Sequence, residues 1–357
     1  MANTRILIVD DSSPIRQAVA SLLGEEADLQ VVGIAPNGRI GVEKATQVKP
    51  DVVLLDIEMP EMDGMEALKL IRKQHPKLPV IMFSALTKKG ASQTLDALAL
   101  GADDYVAKPS MAANLEQALE NCKGELVEKI RALCSGRSIE KKVSAPVAVL
   151  PAVQLTGRVE VAVIAASTGG PNALSELLPK FPANCPVPIV VVQSMLPMLI
   201  KSFSERLQAE CKMKVVETGE PQPLKAGHIY IATGGKHTVV ARNGAQVEIL
   251  TNEEPPDNSF RPSVDLLLRS VAGVFGGRSL VAVLTGMGNN GLKGCLLLRN
   301  CGAEILVQDQ ESSKLWGMPA AVVEAGIAHG VYPLNQIHDQ MYKRIQAIKS
   351  TPVLALP

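Results

Sequence analysis

Short apolar runs alternate with stretches of helical spacing along most of the chain. Arg5–Val9, Val52–Leu55 and Val80–Phe83 have strand length, and each stops at a polar residue, Asp10, Asp56 and Ser84 respectively. Between them, Ser13–Leu23 and Met65–Gln74 carry apolar residues at helical spacing. The first is opened by Ser12 or Ser13 as N-cap, with Pro14 close behind. The second half repeats the pattern. Val161–Ala165, Ile189–Val192, Ile229–Ala232, Leu280–Leu284 and Ile305–Val307 are strand candidates, several followed by glycine-rich turns. Thr238–Leu250 predicts a hairpin turning at Asn243-Gly244. Continuous apolar runs belong to strands covered on both faces, as in parallel sheets. The expected fold class is therefore α/β: a flavodoxin-like doubly wound parallel sheet, then a second doubly wound α/β domain.

The periodicity fails at 135–155, SGRSIEKKVSAPVAVLPAVQL, where two prolines, mixed charge and small residues mark an interdomain connection. The expected boundaries are a first domain over 1–122, a helix end and linker over 123–157, and a second domain over 158–350. The length of 357 residues agrees, being more than one hydrophobic core usually serves. Lysine plus arginine balances aspartate plus glutamate at 36 each, which argues against a nucleic-acid binder. The six cysteines form no C-x-x-C pair and read as scattered thiols in a reducing compartment. MANTRILIVDD lacks a signal-peptide layout, and no apolar run approaches the length of a membrane span. A cytoplasmic protein without membrane insertion is expected.

The chemistry of the first half lies at the strand ends. Asp10, Asp11 and Asp56 would crowd one edge of a parallel sheet, where carboxylates repel unless a cation sits among them. Oxygen ligands of this kind suit Mg²⁺. Lys108 and Ser84 add a positive charge and a hydroxyl, a set suited to phosphoryl transfer onto a carboxylate. A lone Asp after a strand is often a loop residue, but here four motifs fall in order: IVDDS at 8–12, LLDIEMPEMDG at 54–64, MFSAL at 82–86 and DDYVAKP at 103–109. On these motifs residues 1–122 resemble a response-regulator receiver domain. The resemblance implies that Asp56 accepts phosphate from a chemotaxis-type histidine kinase. It also implies that Asp10, Asp11, Asp56 and the backbone carbonyl of Glu58 hold Mg²⁺, and that Ser84 and Lys108 bind the phosphoryl group. Tyr105 would be the aromatic that reorients, and the Lys108–Pro109 bond would be cis.

The second half turns on VAVIAASTGGP at 161–171. Ser167 falls at a strand-to-helix turn, with glycines allowing close backbone approach and a helix N-terminus supplying unpaired N–H groups. No G-x-G-x-x-G or G-x-x-x-x-G-K-S/T loop is read along the chain, so a nucleotide site has weak support. The motifs IAASTGGP at 164–171, VVVQSMLP at 190–197, SFSERL at 202–207 and IYIATGGKH at 229–237 are similar to those of the chemotaxis protein-glutamate methylesterases, the CheB family. So are FRPSVDLLLRS at 260–270, LTGMGNNG at 284–291 and GMPAAV at 317–322. The resemblance implies hydrolysis of receptor glutamate methyl esters and deamidation of receptor glutamines by a Ser-His-Asp triad, with methyl-accepting chemoreceptors as partners. Ser167 matches the nucleophile. Thr168 follows it, and the Met287 N–H would help form the oxyanion hole. Ser194 stands where the family has histidine and Asn290 where it has aspartate. The expectation is thus a phosphorylation-gated regulator with an impaired effector domain; the alternative is an active methylesterase and deamidase with a rewired proton relay. Of the five histidines, only His237 is expected at a strand carboxyl end, as a hidden base or a packing residue. Arg261 and Asp265 read as family residues or a structural ion pair, and Trp316 as site rim or packing.

Overall fold

The computed structural model describes residues 3–85, 87–108, 115–135, 158–257 and 260–347. The linker stretch 136–157, the bond from Lys108 to Pro109 and residues 348–350 lie outside the described residues. The chain divides into two compact units, Met1–Ser144 and Ala145–Pro357.

In the first unit five strands, β1 (Thr4–Val9), β2 (Leu29–Ala35), β3 (Val52–Asp56), β4 (Val80–Ser84) and β5 (Asp104–Ala107), form a parallel sheet in the order β2-β1-β3-β4-β5. The helices are α1 (Ser13–Gly24), α2 (Gly38–Val48), α3 (Gly64–Gln74), α4 (Lys88–Ala99) and α5 (Leu115–Ser135). Side chains start several of them. Asn37 accepts the Ile40 N–H, Asp63 the Glu66 N–H and Thr87 the Gly90 N–H. β3 and β4 are buried throughout, as their unbroken apolar runs predict. Being parallel, all the strands deliver their carboxyl ends to one edge.

The second unit is built on seven parallel strands: β6 (Val161–Ala166), β7 (Ile189–Gln193), β8 (Lys214–Glu217), β10 (His228–Ile231), β13 (Ser279–Val283), β14 (Glu304–Gln308) and β15 (Gly330–Tyr332). They run in the order β15-β14-β13-β6-β7-β10-β8. The helices are α6 (Gly170–Leu177), α7 (Pro197–Glu210), α8 (Val264–Phe275), α9 (Leu292–Asn300), α10 (Met318–Glu324) and α11 (Leu334–Gln346). The chain leaves β6 in one direction through β7 and later returns to its other side as β13. The reversal point lies between β6 and β13, where open α/β sheets form crevices. Valines and isoleucines of β6, β7, β13 and β14 pack with Leu267, Leu268 and Val271 of α8 into one core.

A separate antiparallel sheet, β11-β12-β9, joins β9 (Gln222–Pro223), β11 (His237–Asn243) and β12 (Gln246–Asn252). It contains the expected hairpin, shifted by one residue. Asn243 pairs with Gln246, so Gly244 and Ala245 make the turn, with Gly244 at φ 59°. A positive φ at the first loop position suits glycine better than asparagine. No helix among the described residues is long and apolar enough to cross a membrane.

Candidate phosphoacceptor and serine sites

In the first unit the carboxyl ends of β1, β3 and β5 bring Asp10, Asp56 and Lys108 together. The Lys108 Nζ lies 2.7 Å from Asp10 Oδ2 and 2.7 Å from Asp56 Oδ2. Asp10 and Asp56 are buried, and Asp11 is exposed. Burial pushes the Asp56 carboxyl up to about 6, against the opposing pull of Lys108. One oxygen from each of Asp10, Asp11 and Asp56 lies within 4.8 Å of the others, a spacing that oxygen-liganded Mg²⁺ fits. The Glu58 side chain is turned to Lys89 at 2.7 Å, so its backbone carbonyl is the group it can offer an ion. Ser84 is buried at the end of β4. Tyr105 is buried on β5, with Lys129 Nζ 4.7 Å over its ring and donating to its carbonyl at 2.7 Å. Sequence reasoning passed over Arg16, whose Nη1 donates to the carbonyls of Asp10 and Asp11 at 2.7 and 2.9 Å. It braces the turn carrying both acids.

In the second unit Ser167 follows the last residue of β6 at half-exposure, one turn before α6. Its N–H donates to Thr285 O at 3.0 Å, and its carbonyl accepts the Gly170 N–H at 2.7 Å. Gln193, at the end of β7, donates from Nε2 to Ser167 O at 3.0 Å and Ser194 O at 3.1 Å. One buried amide thereby ties the serine turn to the segment carrying Ser194. On the other side lies the loop 285–291. A Cβ on Gly286 would stand 2.9 Å from Ser167 Cβ and 2.5 Å from Met318 Sδ, so only glycine lets the loop come this close. The Met287 N–H meets no protein acceptor among the described residues, leaving it available to an oxyanion. Thr168 is buried, and its carbonyl accepts the Thr285 hydroxyl at 2.9 Å.

Neither Ser167 Oγ nor Ser194 Oγ has a hydrogen-bond partner among the described residues. Asn290 is buried farther along the loop, and its Oδ1 accepts the Val264 N–H at the start of α8, 3.0 Å away. His237 does not lie at a strand carboxyl end; it opens β11. Both ring nitrogens are engaged: Nδ1 accepts the Ser263 N–H at 3.2 Å, and Nε2 donates to Pro255 O at 3.1 Å. The packing reading is therefore the one the geometry bears out. His228 stacks on Tyr230, His75 meets Thr46 Oγ1, and His338 meets Asp339. Arg261 is exposed, and Asp265 Oδ1 accepts the Gly294 N–H at 2.7 Å, so the pair expected between them is replaced by a cap on α9.

Within the connection 309–317 between β14 and α10, the sequence pointed only to Trp316, as site rim or packing. Thr285 Oγ1 accepts the Lys314 and Leu315 N–H groups, both at 3.0 Å. Gln308 accepts the Thr285 N–H at 2.8 Å and donates to Ser312 O at 2.8 Å. Trp316 is half-buried, bridges to Gly286 and donates from Nε1 to Gln308 O at 3.0 Å. Contrary to the reading from sequence, GMGNNG at 286–291 has G-x-G-x-x-G spacing, between β13 and α9. Yet a Cβ on Gly317 would stand 2.8 Å from Gly288 N, and the Met318 N–H donates to Gly286 O at 2.9 Å. The 317–318 backbone thus packs directly onto this loop.

Residues 6–120 match the response regulator receiver domain model and residues 162–341 the CheB methylesterase model. The chain is 46% identical over 353 residues to the protein-glutamate methylesterase/protein-glutamine glutaminase of Trichodesmium erythraeum (strain IMS101), covering 97% of this chain and 100% of that one. It is 36% identical over 347 residues to the Salmonella choleraesuis (strain SC-B67) protein of the same name, covering 97% of this chain and 98% of that one. Among solved structures, the Thermotoga maritima CheB methylesterase catalytic domain is similar at 34% identity and a TM-score of 0.51, covering 52% of this chain and 97% of that one.

Proposed function

Because the chain belongs to the CheB methylesterase family and carries a receiver domain, we propose that it is a chemotaxis response regulator whose effector domain binds receptor substrate but hydrolyses it poorly. Asp56 is the phosphoacceptor in this reading. Lys108 neutralises the incoming phosphoryl group and Ser84 hydrogen-bonds it, while Asp10, Asp11, Asp56 and the Glu58 carbonyl hold Mg²⁺, which supplies charge neutralisation when bound. A chemotaxis-type histidine kinase and methyl-accepting chemoreceptors are the partners, and the cytoplasm is the compartment. Phosphorylation of Asp56 gates the effector domain.

The reading of impaired chemistry rests on one observation: Ser167 Oγ has no base bonded to it among the described residues. At the two positions that would supply imidazole and carboxylate stand Ser194 and Asn290. A serine hydroxyl cannot take a proton near neutral pH, and an amide cannot fix or stabilise an imidazolium. In a serine protease, changing the triad aspartate to asparagine alone lowers turnover roughly ten-thousandfold. What remains is the Met287 N–H and the surface around Ser167, which can hold a carbonyl oxygen without completing the reaction.

The test is hydrolysis of a methylated receptor by five forms of the full chain. Wild type and Ser167→Ala are expected to be equally slow. Ser194→His combined with Asn290→Asp is expected to raise the rate by roughly a hundredfold or more, with either change alone doing far less, because triad members act as a unit. Efficient wild-type turnover that Ser167→Ala abolishes would show a rewired relay and overturn the impaired reading.

A further inference from the structure

At the amino-terminal edge of the seven-stranded sheet, opposite Ser167, buried donors outnumber their acceptors. His329 directly precedes β15 and is locked to the second residue of β14. Its backbone N–H donates to Ile305 O at 2.8 Å, and its Nδ1 accepts the Ile305 N–H at 3.0 Å. A ring that accepts at Nδ1 carries its proton on Nε2 in the neutral form. That Nε2–H is buried and finds no acceptor. The buried Nε of Arg299, in the last turn of α9, finds none either, and no carboxylate among the described residues pairs with this guanidinium.

The charged groups acting on the imidazole are Arg299 from α9, Glu304 from β14 and Arg344 from α11. Glu304 is already taken by Arg344 Nε. Arg344 Nη1 is spent on Gln340 O and Oε1, both at 2.9 Å, and Nη2 stands 3.4 Å from the Tyr332 hydroxyl. Glu304 is thus spent on Arg344, and the Arg299 guanidinium is left without a carboxylate while its charge acts on an imidazole whose Nε2–H has no partner. Buried polar groups are as a rule hydrogen-bonded, and a guanidinium selects carboxylate or phosphate oxygens.

We propose that His329 Nε2 and the Arg299 guanidinium form a binding site for a small oxyanion, a carboxylate or phosphate group, at the α9–β14–β15 corner. The site is independent of the Ser167 chemistry, so the esterase assay and this one fail separately. The test titrates full-length protein, labelled with ¹⁵N-histidine, with acetate, inorganic phosphate or chloride at constant ionic strength and neutral pH. The His329 ring signal is identified by its loss in His329→Gln. It is expected to shift saturably with acetate or phosphate and not with chloride. A response to both assigns carboxylate-class recognition; a response to phosphate alone assigns phosphate. Arg299→Met is expected to weaken binding by roughly tenfold or more. Should that variant not fold, Arg299→Lys, which keeps the charge and loses the Nε–H, is expected to weaken binding as well. No saturable shift with either oxyanion, as for donors satisfied by a buried water, overturns the proposal. An unchanged affinity in the folded arginine variant overturns it too.

Discussion

Arg16 lies in the first turn of α1, where the helix dipole disfavours a cation, and its guanidinium instead clamps the carbonyls of Asp10 and Asp11. That misplaced charge was the one cue to its job. Gln193 offers no such cue, since a glutamine after an apolar strand reads as a strand end. Only the fold shows its Nε2 joining Ser167 to Ser194. His329 carries a prediction about pH. Burial first, then the Arg299 charge, holds its imidazole below the ordinary value of 6.5. The unfolded chain therefore takes up a proton near 6.5 while the folded chain resists it, so the stability contribution is complete above that pH. It is lost as pH falls below it toward the lowered folded value. Protonation would also set an Nδ1–H against the Ile305 N–H. Urea midpoints measured from neutral to mildly acid pH should fall more steeply for wild type than for His329→Gln. Parallel curves would mean that the imidazole does not govern the acid limb.

At the scale of elements, the connection 309–317 is held to the serine turn through one hydroxyl, Thr285 Oγ1, which serves Thr168 O and the N–H groups of Lys314 and Leu315. Thr285→Val keeps the shape and removes all three bonds. It should cost about 1–3 kcal/mol for each buried group left unpaired. Faster amide exchange at Lys314 and Leu315, with a lower urea midpoint, is the expected outcome; unchanged exchange would show that this hydroxyl does not anchor the connection. The sequence made the strands lining both sites visible, because buried parallel strands are unbroken apolar runs: β3, β4, β6, β7 and β13 lie where Val, Ile, Leu and Ala cluster. It hid the edge strands. β8 (KVVE) and β15 (GVY) are too short and too mixed to separate from loops. It hid the role of 309–317 as well, since DQESSKLWG has the polarity of any surface loop and its attachment depends on partners remote in the chain. His237 looked like a candidate base because a glycine-rich turn precedes it. Its hydrogen bonds come from Pro255 and Ser263, which no local pattern could place beside it.

For the molecule as a whole, two α/β units each present a site at the carboxyl edge of a parallel sheet, and coupling between them is the property to measure. Incubation with a small phosphodonor and Mg²⁺ should shift wild type on a phosphate-affinity gel and leave Asp56→Asn unshifted. In wild type alone, phosphorylation should change hydrogen exchange over Ser167–Gly170 and Gly286–Gly291. Equal labelling of the variant would remove Asp56 as acceptor, and a silent exchange map would remove the gating. The Asn290 amide bears on any survey of such proteins in cells. Its Oδ1 accepts the Val264 N–H, a bond that an aspartate at this position could make equally well, so helix α8 starts correctly whether or not a charge is present. Chaperones and proteases respond to unfolded chain, not to missing catalytic charge. A cell would therefore accumulate the asparagine form, and its abundance would carry no information about whether the esterase works.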